Sequence, residues 1–355
     1  MTQAAALAAY GSSSPSNRNR IINGDMRIDQ RNAGASVTLS GAEAIYPVDR
    51  FNGFNSTDGT VTAQQVAEAP AGFVNSSKLT VTVADASIGE TQRTTFRHRI
   101  EGLNVSDLGW GTTSAQAVTL SFWVRSSVTG THGGSLMNSS SDYSYPFTYA
   151  ISVANTWEFK TVTIAGPTAG TWLTTNGIGL QVIYGLAMGS TFSGTAGAWA
   201  AVRYEGATGA VQITSTLNAT WQITGVQLEA GSVATPFEHR QYGQELALCQ
   251  RYYYRITGGG NTRHAISGNG GNTNCFPVVF FKTSMRATPS FSYSALSDFV
   301  IEGFAGGSGT PTAMGWNAGT TENATINSSG QSGIVGSGGN LLGAGGAWTA
   351  WNAEL

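Results

Sequence analysis

TWQITGVQLEAGSVATPFEHRQYGQELALCQRYYYRI, residues 220–256, holds the change of pattern that decides the fold. Its first part reads as a closing β-strand with Trp221, Ile223, Val226 and Leu228 as apolar anchors. The alternation shifts phase at Gly225, where a β-bulge is natural. Gly231, Ser232 and the Thr235-Pro236 pair end the strand. From Gln241 to Tyr254 the period becomes helical: Tyr242, Leu246, Cys249 and Tyr253 recur at spacings of four, three and four. Leu248 and Tyr252 make a second apolar pair beside that stripe. A helix of about 14 residues spans roughly 21 Å, and Gly258-Gly259-Gly260 is its expected stop. One large β region therefore ends before this helix, and a Gly-rich region begins after it.

Composition supports an all-β chain. Charged residues make up 11% and hydrophobic residues 41% of the 355 positions, with 47 glycines and an aromatic share of 10%. So many aromatics argue against disorder, and Gly, Thr and aromatics suit turn-rich sheets whose polar faces carry hydroxyls and amides. A net charge of −2 without a Lys/Arg block argues against nucleic-acid binding. Cys249, Cys275 and four scattered His form no metal-ligand motif. The two cysteines read as free, buried thiols, with a disulfide as the alternative. No stretch is apolar enough to cross a bilayer as a helix. The opening MTQAAALAAYGSSS lacks the basic stretch and full apolar core of a secretory signal, so release by lysis or inside a particle is expected.

Read in order, the chain divides into four expected parts: an N-terminal anchor or arm (1–35), a jelly-roll β-sandwich (36–238), a short helical neck (239–257) and a smaller C-terminal β domain (258–355). Residues 2–10 are Ala-rich and suit two helical turns, too few to stand alone. NRIINGDMRIDQRN (19–32) places a turn at Asn23-Gly24 within a hairpin or extended arm; Asp25 and Asp29 there read as turn caps or partners of Arg27 and Arg31. Strand signals follow at 46–51, 61–66, 78–83, 94–101, 118–125, 145–153, 157–164, 178–183 and 199–204. The clearest alternates Val118, Leu120, Phe122 and Val124 against Thr119, Ser121, Trp123 and Arg125. His98 reads as a packed residue of its strand. Such spacing argues for a jelly-roll sandwich. After the helix, 265–267, 275–282, 290–294 and 299–302 are strand-like, and 303–346 is rich in Gly, Ser, Thr and Asn with apolar islands at Ile326, Ile334-Val335 and Leu341-Leu342. This reads as a smaller β domain with long loops and so few core residues that neighbouring copies would be needed for stability.

NRIINGDMRIDQRNAG with DRF at 49–51, VTLSFWVRSS (118–127), ANTWEFKTVTI (154–164) and ITGVQLEAGSVATPFEHRQYGQELALCQRYY (223–253) resemble tail-fibre and virion structural proteins of tailed bacteriophages. SMRATPSFS (284–292) resembles the C-terminal β module often attached to them. The resemblance covers most of residues 19–295 and carries no fixed binding residues; the last sixty residues match nothing named. It implies a carbohydrate-binding-like jelly roll in a homo-oligomer, often a trimer. The chain would then be made in the host cytoplasm and sit on the virion, attached to other virion proteins by its N-terminus and meeting a host surface glycan. On this reading the stripe Tyr242, Leu246, Cys249 and Tyr253 is either an oligomer seam or a face packed on the chain's own sandwich.

The chemistry weighs binding against catalysis. Glycoside hydrolysis needs two carboxylates about 5–9 Å apart, and the acidic residues lie in separate segments with none in a paired motif. No nucleophile elbow, zinc-protease motif, phosphate loop or β-helix period is present. Glu229 reads as a structural clamp beside Arg240 or His239. No catalytic residue, cofactor or metal is therefore expected, and the chain reads as a non-enzymatic binder. Sugar binding uses aromatic faces with nearby amides or carboxylates, chemistry found around Trp110, Tyr143, Trp172, Trp316, Trp348 and Trp351. A non-adhesive virion component (collar, head fibre or tail connector) is the alternative, then a glycan depolymerase. Exposed aromatics in the last hundred residues would favour adhesion; buried ones would favour a scaffold.

Overall fold

The computed structural model describes residues 18–41, 45–258, 262–266, 274–303, 308–329 and 339–355. The strands run β1 Val37–Thr38, β2 Ile45–Val48, β3 Phe51–Asn55, β4 Thr60–Val66, β5 Ser76–Val83, β6 Arg93–Glu101 and β7 Val118–Ser126. They continue as β8 Gly130–Met137, β9 Ser144–Ile151, β10 Glu158–Ile164, β11 Ile178–Met188, β12 Ser193–Gly194, β13 Gly206–Ala207 and β14 Thr220–Ala230. Two six-stranded antiparallel sheets result, ordered β1-β4-β5-β14-β7-β10 and β2-β3-β6-β11-β8-β9. The chain passes repeatedly from one sheet to the other, the double-sheet organisation of a jelly roll.

Period-two alternation supplies the core between the sheets. Val118, Leu120, Phe122 and Val124 of β7 point inward and are fully buried. Trp221, Ile223, Val226 and Leu228 of β14 join them. Burying each such large side chain contributes about 1.5–3 kcal/mol. The change of phase at Gly225 is a bulge: pairing of β14 with β7 shifts register between Thr224 and Gln227, and Gly225 has φ +62°. The expected strand at 199–204 is absent; Ala200 makes only an isolated bridge to Ser144. Conversely β8, GTHGGSLM, carries no apolar alternation and was not expected. Its glycines are there for close approach, since a Cβ at Gly134 would lie 2.4 Å from the Ile183 carbonyl oxygen and from the Phe147 ring.

Residues 18–32 do not stand off as an arm. Ile21 and Met26 enter the sandwich core, while Ile22 and Ile28 pack with Cys249 and Tyr252. The Asn23-Gly24 turn forms, closed by Met26 N–H on the Asn23 carbonyl at 2.9 Å. The expected helix over 2–10 lies outside the described residues.

The helix α1 is Tyr242–Gln250, shorter than the 241–254 span expected. Tyr253–Thr257 forms a strand paired with Trp348–Asn352, so long-range pairing overrides local periodicity. Trp348–Asn352 also pairs with Ser290–Tyr293, giving a three-stranded sheet. A larger sheet includes Thr262–Ile266, Val278–Phe280, Phe299–Gly303, Ala313–Gly319, Asn323–Ser329 and Gly339–Gly343. Much of the expected loop region is thus strand, hidden because small residues point inward, as Ala324 and Ser328 do on either side of Ile326 along Asn323–Ser329. This part has its own core around Phe299, Ile301, Leu341 and Trp351. Cys249 and Cys275 are free and buried.

Candidate functional site

Several loops gather where β6, β8 and β10 end and β7, β9 and β11 begin. Gly102 N–H meets the Gly177 carbonyl at 2.9 Å, and Gly111 N–H meets the Pro167 carbonyl at 2.8 Å, tying the β6–β7 and β10–β11 loops together. The β6–β7, β8–β9 and β10–β11 loops deliver Trp110, Tyr143 and Trp172, β9 adds Tyr145, and the connection between β12 and β13 adds Trp199. Trp110 packs edge-on against Trp172 (centroids 4.8 Å apart) and Trp199 (5.6 Å). Trp172 and Trp199 meet at 5.4 Å. Tyr143 stacks on Trp199 at 5.7 Å and 15°, and Tyr145 lies 5.2 Å from the same indole.

Hydrogen bonds within and between the loops fix these rings. The indole N–H groups of Trp110, Trp172 and Trp199 donate to the carbonyls of Gln116 (2.8 Å), Ala169 (3.1 Å) and Ala165 (2.7 Å). The rings therefore offer faces and edges rather than N–H donors. Asn138 orders the β8–β9 turn: its Oδ1 accepts from the Asp142 and Tyr143 N–H groups at 3.2 Å, and its Nδ2 donates to Asp142 Oδ1 at 2.7 Å. The Asp142 side chain is left at the surface beside half-buried Tyr143. Gly170, at φ +85°, lets the rings close, because a Cβ there would lie 2.9 Å from the Tyr143 ring. Burial raises the Tyr145 hydroxyl pKa and keeps it protonated. A cleft of about 180 Å³ runs between Trp110 and Trp172, lined also by Ser106, Thr112 and Thr174. That is smaller than the roughly 300 Å³ at which drug-sized sites begin, so it suits one ring-sized group.

Of the six residues expected to bind a glycan, Trp110, Tyr143 and Trp172 come together here. The other three do not. Trp351 is fully buried in the C-terminal core, ringed by Tyr254, Phe281 and Phe291. Trp348 is half-buried under the Arg255 guanidinium, 4.8 Å from its centroid. Trp316 is half-buried against the same core. None of these three tryptophans forms an exposed aromatic tip, which at this end of the chain weighs toward a scaffold rather than adhesion. Sequence reasoning left out Trp199 by assigning it to a strand; its flanks, AGAWAA, match the small-residue settings of LGWGTT and AGTWLTT, and that was the available signal.

The expected seam residues are dispersed by burial. Tyr242 is 57% exposed and Leu246 half-buried, while Cys249 (0%) and Tyr253 (7%) are covered by the same chain. Cys249 faces Ile22, Ile28 and Tyr252, and the Arg31 guanidinium lies 3.6 Å over the Tyr253 ring. Glu229 is a buried clamp, but its partners are Thr235 (N–H 2.9 Å, hydroxyl 2.6 Å), Gln227 and Arg18, not Arg240 or His239. Asp29 caps the N–H groups of Asn32 and Gly34, and Asp25 pairs with Arg27. His98 stacks edge-on with Phe51 in the core, and burial holds its pKa well below the usual value. Among the described residues no cluster of His, Cys, Asp and Glu could hold a metal ion, and no helix is long and apolar enough to cross a membrane.

No protein-family model and no curated protein match the chain. Solved structures similar to it include the enzymatically active domain of bacteriophage CBA120 tailspike protein 4 (12% identity, TM-score 0.32, 60% of this chain and 22% of that one). A family 11 carbohydrate-binding module from Clostridium thermocellum, in complex with a mixed-linked tetrasaccharide, matches at 11% identity and TM-score 0.27 over 57% of this chain and 98% of that one. A putative sugar binding protein from Bacteroides thetaiotaomicron matches at 11% identity and TM-score 0.34 over 60% of this chain and all of that one. The match spans about a fifth of the tailspike chain. These likenesses are too distant to say what this chain binds; its class, an all-β jelly-roll sandwich, rests on its own sheet order.

Proposed function

We propose that this chain is a non-enzymatic fibre protein of a tailed-phage virion that adheres to a bacterial surface polysaccharide. The observation that carries adhesion is the cluster Trp110, Tyr143, Tyr145, Trp172 and Trp199, with Asp142 at its rim. Rings already fixed by hydrogen bonds and by one another lose little conformational entropy on binding. Their faces suit the C–H surfaces of sugar rings, and Asp142 suits a hydroxyl. Adhesion of this kind is weak per site, and several copies on one particle raise the avidity. The virion setting, a homotrimer and attachment through the N-terminal segment are supported by the resemblance of residues 19–295. With Cys249 and Tyr253 covered, only Tyr242 and the half-buried Leu246 of the expected seam are open to a second copy, and the rest of any seam uses other surface.

A second reading, a non-adhesive collar, head fibre or tail connector, is favoured by the burial of Trp110 and the half-burial of Tyr143, Tyr145, Trp172 and Trp199, which would then only close the sandwich end. Binding of the full chain to intact cells and extracted glycans separates the two. Adhesion predicts saturable binding that falls at least about tenfold, or ~1.4 kcal/mol, in a Trp172→Ala, Trp199→Ala variant that stays folded. Undiminished binding would move the site elsewhere. No binding to any host the particle infects would favour the second reading.

A further inference from the structure

The outer face of the β2-β3-β6-β11-β8-β9 sheet carries a second feature, at the opposite end from the aromatic cluster. Odd-numbered residues of β6 point away from the core, placing Arg93 and Arg97 on this face. The loop after β11 brings Phe192, Arg203 and Glu205 onto it. Three guanidinium groups converge on one carboxylate. Arg203 reaches Glu205 Oε1 through Nε (2.8 Å) and Nη2 (2.6 Å). Arg93 Nε lies 3.2 Å and Arg97 Nη2 3.5 Å from Oε2. The Glu205 side chain is fully buried, while that of Arg203 is 40% exposed. Phe54 and Phe192 flank Arg93, with centroids 4.5 and 4.3 Å from its guanidinium carbon, and Arg203 lies 5.1 Å over Phe192.

Two further facts mark this cluster as incomplete. Its positive charge exceeds its negative charge, in a chain with only 11% charged residues. Burial, together with Arg99, Arg93 and Arg203, pulls the Arg97 pKa down to about 10 despite Glu205. And two buried polar atoms on this face lack a partner: Arg97 Nε and the Oδ1 of Asn52, its directly paired neighbour on β3. Arg97 and Asn52 are 6% and 3% exposed. Leaving such buried groups unpaired is costly.

We propose that this arginine cluster binds the carboxylate of a sugar acid, a uronate-type residue in an acidic polysaccharide. Arg203, whose Nε–Nη2 edge is held by Glu205, meets the carboxylate first with its remaining Nη1–Nη2 edge, aided by its partial exposure. Arg93 and Arg97 supply the surplus charge behind it. Half-buried Phe54 and Phe192 wall the sugar's C–H face, which a free inorganic anion does not have. The site is separate from the tryptophan cluster and takes from the proposed function only the polysaccharide nature of the ligand.

The test is titration of the full chain with an alginate oligosaccharide and with neutral dextran, with inorganic phosphate as competitor. Variants are Arg203→Gln, Glu205→Gln and Trp172→Ala, each checked for its melting temperature. The expected result is preference for alginate, weakened about tenfold by Arg203→Gln without loss of fold, strengthened by Glu205→Gln and kept in Trp172→Ala. A cluster that merely clamps the loop predicts the reverse for Glu205→Gln, since removing the one carboxylate would loosen it. Equal binding of alginate and dextran, or no effect of Arg203→Gln, overturns the proposal. Displacement of alginate by equimolar phosphate would reduce it to an anion site without sugar selectivity. Loss of dextran binding alone in Trp172→Ala bears on the tryptophan cluster and leaves this site untouched.

Discussion

At the scale of single residues, the buried ion network around Asp49 is the most informative. Asp49 is 1% exposed and sits 3.3 Å from Arg31 Nη1, and Arg31 also holds Glu354 at 3.1 Å. Burial pushes the Asp49 pKa up to about 6, against the pull of Arg31. The sign follows from linkage: a carboxyl whose folded pKa is raised favours the fold while protonated. Its contribution is complete below the ordinary value near 4 and is lost as pH rises through about 6. A carboxyl that titrates near 6 when folded and near 4 when unfolded changes stability by about 2–3 kcal/mol. Asp49→Asn is expected to flatten the stability profile between about pH 4 and 6, read by urea unfolding across that range. A profile parallel to that of the unsubstituted chain would contradict the assignment. Residue identity alone could not have shown this, because Asp49 meets Glu354 and Tyr253 only through folding. The aromatic cluster was half legible: Trp110, Tyr143 and Trp172 announced themselves by small-residue loops, whereas Trp351 looked the same and is core.

At the scale of elements, β14 shows how much a strand's sequence can say. Its two phases of alternation and the glycine between them give both the inward faces and the bulge. A Cβ at Gly225 would lie 2.7 Å from the Phe73 ring and 3.1 Å from Trp123, at a φ of +62°. Gly225→Ala is therefore expected to cost about 1–3 kcal/mol, measured by thermal or chemical unfolding. A loss under about 0.5 kcal/mol would mean the bulge is not specified by this glycine. The helix was readable in place but not in length, because α1 ends where Tyr253 finds a partner far along the chain, at Asn352. Strand β8 was unreadable, since glycine close approach leaves no apolar pattern. In the C-terminal sheets Ala and Ser fill inward positions, so hydrophobic counting missed strands that Asn323–Ser329 makes plain.

For the whole molecule, the two cores are tied by a few charged side chains. Arg286 donates to the Asn176 carbonyl at 2.9 Å in the sandwich and to the carbonyls of Ala353 (2.7 Å) and Glu354 (3.0 Å) near the other end of the chain. Arg251 pairs with Glu101 at 2.6 Å across the same junction. Arg286→Ala is expected to weaken the coupling by about 1–3 kcal/mol and to separate sandwich and C-terminal unfolding in calorimetry; one unchanged transition would contradict it. At this scale the proposed function assigns the loop aromatics at one end of the sandwich as the contact surface for a polysaccharide. Its most direct test is a crystal structure of the full chain with an oligosaccharide from a bound host glycan. A sugar ring is expected against Tyr143, Trp172 and Trp199, with a hydroxyl on Asp142. A ring seated on the C-terminal sheets around Trp316 and Trp348, with the loop cluster empty, would contradict it.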